Sequence, residues 1–317
     1  MAAGAKIVFA RPQDWTNSAT LTSLQSKYQP NFQARIMEQF CMTEFKNKTA
    51  FITGGASGIG LEIARSLALR GTNIMLADIN ESELANAKSD LAKTGRQIET
   101  VVCDVADEAA VRAAAAATEA AFGNVHFLVN NAGVAIGGQA GSVNLDDWRW
   151  IVDINLMGVA YGVEIFTPLI KASGGGHIVN VASMAGHWAS PGMSPYNATK
   201  FAVVGYSEGI RHELAPHKIG VSILCPAWVK TDIHRSAFGR PSGGADESDP
   251  QFETMSKVID SGLDPKLVAE WTADSIAANR LYIFTHPEMR VAIDGRRDLI
   301  QADYEACDAH FTAASDT

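Results

Sequence analysis

Tyr196 stands thirteen residues after Ser183, and Lys200 follows it by four. Residues at i and i+4 share one face of a helix, so a phenol and an ammonium can be neighbours here. A free phenol, with a pKa of about 10, is a poor base at neutral pH, and lowering it by about 3 units takes about 4 kcal/mol of preference for the phenolate. An ammonium about 4 Å away at an effective dielectric constant of about 20 supplies an attraction of about that size. Such a pair can take a proton from an oxygen held beside it, or return one. The alternative for an isolated Y-x-x-x-K is a solvated surface pair.

A second constellation is TGGASGIG at 53–60. Gly54, Gly58 and Gly60 permit positive φ and close backbone approach, and the helix that follows offers unpaired N–H groups to a pyrophosphate. Their G-x-x-x-G-x-G spacing departs from the G-x-G-x-x-G dinucleotide fingerprint. Asp78 ends the next strand, where a carboxylate accepts from both hydroxyls of an adenosine ribose and repels a 2′-phosphate. Ser57 in the turn and Ile79 after the acid are not basic, which favours NAD over NADP.

The elements that must position these groups alternate. Short apolar runs at 48–53, 73–78, 98–105, 126–133, 177–183, 220–226 and 281–287 predict seven strands. Amphipathic stretches at 60–69, 81–93, 107–122, 145–172, 196–215 and 265–278 predict helices between them, and 288–311 a last one. This is the pattern of repeated βα units, hence an α/β fold with a parallel sheet flanked by helices. The Ala113 to Ala117 run needs no explanation beyond helix propensity.

The composition narrows the function further. In 317 residues, 47% are hydrophobic, the net charge is −9, and no basic run exceeds Arg296-Arg297, so nucleic acid is not an expected partner. Cys41, Cys103, Cys225 and Cys307 lie far apart, form no zinc or disulfide spacing, and read as small core residues. No metal site is expected. No uninterrupted apolar run reaches the roughly 18 residues that span a bilayer, so no membrane is expected and the cytoplasm is the expected compartment.

In chain order, TGGASGIG, Asp78, CDV at 103–105, NNAG at 130–133, Asn155, Ser183, Tyr196, Lys200 and PAWVKT at 226–231 resemble the short-chain dehydrogenase/reductases, from about residue 45 to the end. The resemblance implies one Rossmann-type doubly wound domain over 44–317 with NAD as cofactor. It implies that the turn residues Gly54, Ser57, Gly58, Ile59 and Gly60, with Asp78, Asp104, Val105, Asn131, Ala132 and Gly133, border the cofactor. Tyr196, Lys200, Pro226, Val229 and Thr231 would lie toward its nicotinamide end. One departure is visible: the family's usual Pro-Gly after the sixth strand is Pro226-Ala227.

By the same resemblance, Ser183 holds the substrate oxygen, Tyr196 is the acid/base and Lys200 tunes it. Asn155, at a mid-helix place its propensity disfavours, would hold a water that links Lys200 to solvent. His187, Trp188, Met193 and Trp228 would shape the substrate pocket, with Met184, His234 and Phe238 as further wall candidates; a core or subunit role for the aromatic and sulfur side chains stays open. His177 and His212 are expected at the surface or as satisfied core histidines. The Gly/Pro/Ser-rich interval at 239–250 suggests a substrate lid, near 232–262. NRLYIFTHPEMR at 279–290 is similar to the ends of bacterial dehydrogenases that oxidise benzylic alcohols of lignin-derived aryl ethers.

The expected activity is reversible hydride transfer between a hydrophobic secondary alcohol, aromatic or cyclic, and NAD, giving the ketone. A carbonyl or 3-oxoacyl reductase using NAD(P)H is the alternative within enzymes, and a non-catalytic NAD-binding regulator the alternative outside them. The family habit of pairing the helices at 145–172 and 196–215 leads us to expect a homodimer or homotetramer. Residues 1–43 read as an N-terminal extension. For 1–36, with four basic residues and one acid, the readings are a flexible arm, a transit peptide, or an upstream extension of a frame starting at Met37 or Met42.

Overall fold

The computed structural model describes residues 43–243, 248 and 250–315. The expected N-terminal extension lies outside the described residues except for Thr43. Seven parallel strands form one sheet in the order β3-β2-β1-β4-β5-β6-β7. They are β1 (Thr49–Thr53), β2 (Asn73–Asp78), β3 (Ile98–Val102), β4 (Phe127–Asn130), β5 (Gly176–Val181), β6 (Ile219–Cys225) and β7 (Tyr282–Phe284). The order reverses between β1 and β4, which pair through Ala50 with Phe127 and Ile52 with Val129. In open α/β sheets a ligand crevice opens at that point, beyond the carboxyl ends of the strands.

The central strands are apolar throughout, as burial on both faces requires. On one face α1 (Gly58–Leu69), α2 (Glu81–Leu91) and α8 (Pro265–Ala277) pack Ile63, Leu67, Leu84, Leu91, Val268 and Ile276 against Ile52, Leu76 and Val129. On the other, α3 (Glu108–Phe122), α5 (Gly158–Ala172) and α6 (Ser194–Leu214) bring Val111, Val163, Phe166, Ile170, Ile210 and Leu214 onto Phe51, Leu128 and Ile178. Phe51 stacks on Phe166 at 4.2 Å. Asn80, Asp107 and Asp264 cap α2, α3 and α8, each accepting from the second residue or third residue onward.

Several boundaries differ from expectation, each for a local reason. β3 stops at Val102 because Asp104 makes a turn, its carboxylate accepting from Ala106 N at 2.9 Å. The expected helix over 145–172 is α4 (Leu145–Val152) joined to α5 by a π-helical turn at Asp153–Met157. By length and composition this stretch could cross a membrane, which the sequence reading did not credit; here Val159, Val163, Phe166 and Ile170 are buried in the core. The lid interval holds a 3-10 segment at Ile233–Gly239 and a helix, α7 (Pro250–Asp260), that the sequence reading left as loop. The last helix, α9, runs from Arg290 to Ser315.

Cys103 and Cys225 are core residues, but Cys307 is exposed on α9, contrary to expectation. His177 is buried, shares a 2.8 Å hydrogen bond with Ser222, and is pushed down to about 3 by burial. His212 lies at the surface.

Candidate active site

The turn after β1 is built so that backbone meets backbone. Gly54 and Gly58 have φ of 59° and 54°, where a β-carbon is strained. A β-carbon on Gly60 would stand 2.2 Å from Gly54 O and 2.5 Å from Asn131 Nδ2. Thr53 and Asn131 lock the floor: Thr53 Oγ1 accepts from Asn131 N and Ala132 N at 3.0 Å each, and Asn131 Nδ2 donates to Thr53 O and Gly54 O at 3.0 Å. The result is a shallow cradle at the N-terminus of α1, open to a pyrophosphate. Ser57 is exposed at its edge, Ile59 is half-buried and packs against the core cluster, and a β-carbon on Gly58 would reach 3.1 Å from Thr231 Cγ2.

Asp78 closes the cradle on the β2 side. Its Oδ2 accepts from Ala56 N at 3.2 Å and its Oδ1 from Asn80 N at 3.1 Å, which fixes the carboxylate and leaves lone pairs for hydroxyl donors. Ile79 beside it is exposed. Asp104 is exposed, while Val105 is buried against Gly158, so its contact on this face is with protein. These residues fit the adenosine half of a dinucleotide.

The catalytic candidates meet at the carboxyl ends of β4, β5 and β6. Ser183, which follows β5, starts a 3-10 turn; its Oγ donates to Pro226 O at 3.2 Å, accepts from Ala185 N at 3.1 Å, and lies beside the Tyr196 phenol. α6 carries Tyr196 and Lys200 on one face, with Pro195 in its first turn. Lys200 is buried, donates to Val181 O at 3.0 Å, and lies 5.6 Å from the centre of the Tyr196 ring. A β-carbon on Gly133 would stand 3.3 Å from Asn155 Oδ1 and 3.5 Å from Lys200 Nζ, so Gly133 keeps the passage between them clear.

The electrostatics depart from the sequence argument. Burial pushes the Tyr196 phenol above its ordinary range, and the Ser183 hydrogen bond pulls partly against it. Burial also pushes the Lys200 ammonium down to about 8, with the nearby Cys225 opposing that shift. Lys200 sits beneath the tyrosine ring with one of its three N–H donors on the Val181 carbonyl.

Asn155 is fully buried in the π turn, a motif frequent at functional sites. It accepts from Val134 N at 2.8 Å and donates to Val134 O at 2.9 Å and Thr199 Oγ1 at 3.3 Å. It thereby ties the loop after β4 to α6.

Of the expected pocket residues, Trp188, Trp228 and Phe238 are exposed, Met184 is buried, and Met193 bridges to Gly138 at the start of α6. His187 turns elsewhere: it meets Cys225 Sγ at 3.3 Å and packs edge-on against Tyr282 and Phe284. That is a contact with β7, not with the serine and tyrosine. His234 and Phe238 each lie 5.2 Å from Phe252 of α7, forming an aromatic cluster within the interval expected as a lid.

Three further residues escaped the sequence reading. Ser236 of the Ile233–Gly239 segment accepts from Ala135 N at 3.0 Å, and buried Asp147 of α4 accepts from Ser242 N at 3.0 Å and Ser242 Oγ at 2.6 Å. His286 clamps the Pro226-Ala227 loop: Nδ1 accepts from Ala227 N at 3.2 Å, so Nε2 carries the proton and donates to Trp228 O at 3.1 Å. The only local signal for it was a histidine just past an apolar run.

The short chain dehydrogenase family model matches residues 48–240. A CLA biosynthesis dehydrogenase/reductase of Lactiplantibacillus plantarum is 34% identical over 83% of this chain and 96% of its own. A C alpha-dehydrogenase of Sphingobium sp. strain SYK-6 is 35% identical over 80% of this chain and 85% of its own. A short chain dehydrogenase/reductase of Burkholderia phymatum, solved in complex with NAD, superposes with a TM-score of 0.78 at 38% identity, covering 83% of this chain and 97% of that one. With the fold, the glycine cradle and the Ser183, Tyr196 and Lys200 cluster in place, the chain belongs to the short-chain dehydrogenase family of oxidoreductases.

Proposed function

We propose that the protein oxidises a hydrophobic secondary alcohol, aromatic or cyclic, to its ketone with NAD, reversibly. The observation that carries this reading is the convergence of buried Ser183 and buried Lys200 on Tyr196, whose ring centre lies 5.6 Å from Lys200 Nζ, which brings two hydroxyls beside one ammonium where a substrate oxygen can be held. The cofactor, when bound, accepts the hydride from the carbinol carbon. Tyr196 takes the hydroxyl proton as that C–H bond breaks and the C=O bond forms, and Ser183 holds the oxygen throughout. Lys200, with Asn155 and Gly133 beside it, passes the proton on from the tyrosine.

NAD is favoured because both oxygens of Asp78 are fixed by backbone N–H groups and its neighbour is the exposed Ile79; an anion there opposes a 2′-phosphate. The aromatic lid cluster with exposed Trp228 supports an aromatic or cyclic substrate, in keeping with the C alpha-dehydrogenase among the relatives. A homodimer or homotetramer is the assembly this reading carries, with the substrate lid near 232–262 and the cytoplasm as its place of action.

Ketone reduction is the second reading. Burial holds the Tyr196 phenol up, which favours its acid form at neutral pH, the form that donates a proton to a ketone. Steady-state rates with aliphatic, cyclic and benzylic alcohols and the matching ketones, using both cofactors, separate the two. Turnover with NADP(H) alone overturns the cofactor assignment; no turnover with any alcohol or ketone overturns the enzymatic reading.

A further inference from the structure

β6 and β7 pair in register, Cys225 beside Phe284, which brings the residues two further along, Ala227 and His286, to one level at the carboxyl end of the sheet. Pro287 keeps the His286 backbone out of the helical region, and the buried ring turns onto its neighbour. Nδ1 accepts from Ala227 N at 3.2 Å, Nε2 donates to Trp228 O at 3.1 Å, and the Thr285 hydroxyl lies 2.7 Å from Nδ1.

The Ala227 N–H is one half of a peptide group whose other half is the Pro226 carbonyl. That carbonyl accepts from Ser183 Oγ at 3.2 Å and from Met184 N at 2.9 Å. A trans peptide points its N–H and C=O in opposite directions, so this plane stands between His286 on one side and the turn that carries the serine on the other. Bonds at both ends fix its rotation, and each polarises the other.

We propose that His286 is a positioning residue for Ser183, acting through the Pro226–Ala227 peptide group. The proposal rests on the reading of Ser183 as the residue that holds the substrate oxygen. Ser183 Oγ is tied at two points, Pro226 O and Ala185 N. The second lies within its own turn, so the first is what sets that turn against the end of β6. Without the ring the peptide is free to rotate, its carbonyl leaves the Ser183 hydroxyl, and the side chain is released to other staggered positions.

The two contacts of the ring are not equivalent. Trp228 O also accepts from Leu263 N at 2.9 Å, so it keeps a partner when Nε2 is removed. The contact that reaches the serine is the one at Nδ1.

The test is hydride transfer from a benzylic secondary alcohol to NAD, with kcat counted per NAD-binding site so that unfolded protein drops out. His286→Asn sets an amide oxygen where Nδ1 stands and keeps the acceptor for Ala227; His286→Gln sets its amide where Nε2 stands and keeps the donor for Trp228. His286→Ala and His286→Gln should each lower kcat by about 10-fold, the scale of one lost hydrogen bond, with NAD affinity held, and His286→Asn should recover most of that loss. The Asn and Gln comparison stands even where the alanine variant does not fold. In a Ser183→Ala background, His286→Gln should change kcat by less than about 2-fold, because residues that act as one unit are not additive. A full 10-fold loss in that background overturns the proposal and leaves the role of Ser183 standing. So does recovery by Gln in place of Asn, which would put the effect on Trp228. A Ser183→Ala variant with the wild-type rate overturns the reading of Ser183 itself.

Discussion

Asn155 closes a two-bonded clip on Val134, accepting from its N–H at 2.8 Å and donating to its carbonyl at 2.9 Å. The next peptide group belongs to Ala135, which donates to Ser236 Oγ of the Ile233–Gly239 segment at 3.0 Å. A residue of the proposed proton path and the proposed lid are thus fixed to consecutive residues of one loop. Asn155→Ala removes three hydrogen bonds from a buried site, and should cost about 2–3 kcal/mol of stability and lower kcat by about 10²-fold. Ser236→Ala should raise KM several-fold with little change in kcat. Urea melts with steady-state kinetics check both.

The Ser183 hydrogen bond pulls the Tyr196 phenol down against burial. Removing it in Ser183→Ala lets the phenol rise further. Alcohol oxidation needs the ionised phenol, so the rise of kcat/KM with pH should move to higher pH, beside a loss of about 10²-fold in rate. A pH profile in the same position would assign that rise to another group.

Cofactor choice is expected to follow one carboxylate. Asp78→Ala with Ile79→Arg exchanges an acceptor for a cation beside the adenosine ribose. It should lower kcat/KM with NAD by about 10-fold or more, as lost hydrogen bonds to a charged group do, and raise it with NADP. Parallel kinetics with the two cofactors check this.

Most of the cradle and the trio was legible because its signals are local. Glycines at 54, 58 and 60, the acid ending β2, and the i, i+4 spacing of Tyr196 and Lys200 each declare themselves within a few residues. The seven parallel strands follow from the alternation of elements, whereas their order, with its reversal between β1 and β4, comes from the structure. What stayed hidden spans long separations: Ser236 meets Ala135 across 101 residues, and His286 meets Ala227 across 59. No period or motif encodes those contacts. The π turn at Asp153–Met157 was visible only as an asparagine in an awkward place. The packing of His187 on Tyr282 and Phe284 was hidden for a different reason, since position between Ser183 and Tyr196 does not say toward which strand a ring turns.

The buried His177 ties stability to pH. Its folded pKa is depressed to about 3 from 6.5, so its contribution is present above the unfolded value and is lost as pH falls toward the folded one. His177→Gln keeps a polar group for Ser222 and does not titrate. Between about pH 7 and about pH 4 it should lose about 3 kcal/mol less stability than the wild type, at about 1.4 kcal/mol per unit. Urea unfolding at the two pH values measures the difference.

The most direct test of the central claim is Tyr196→Phe, assayed for hydride transfer from a benzylic secondary alcohol to NAD with NAD affinity measured in parallel. The expected result is a loss of at least about 10³-fold in kcat with NAD affinity unchanged. Turnover near the wild-type rate would contradict the assignment of Tyr196 as the group that takes the proton.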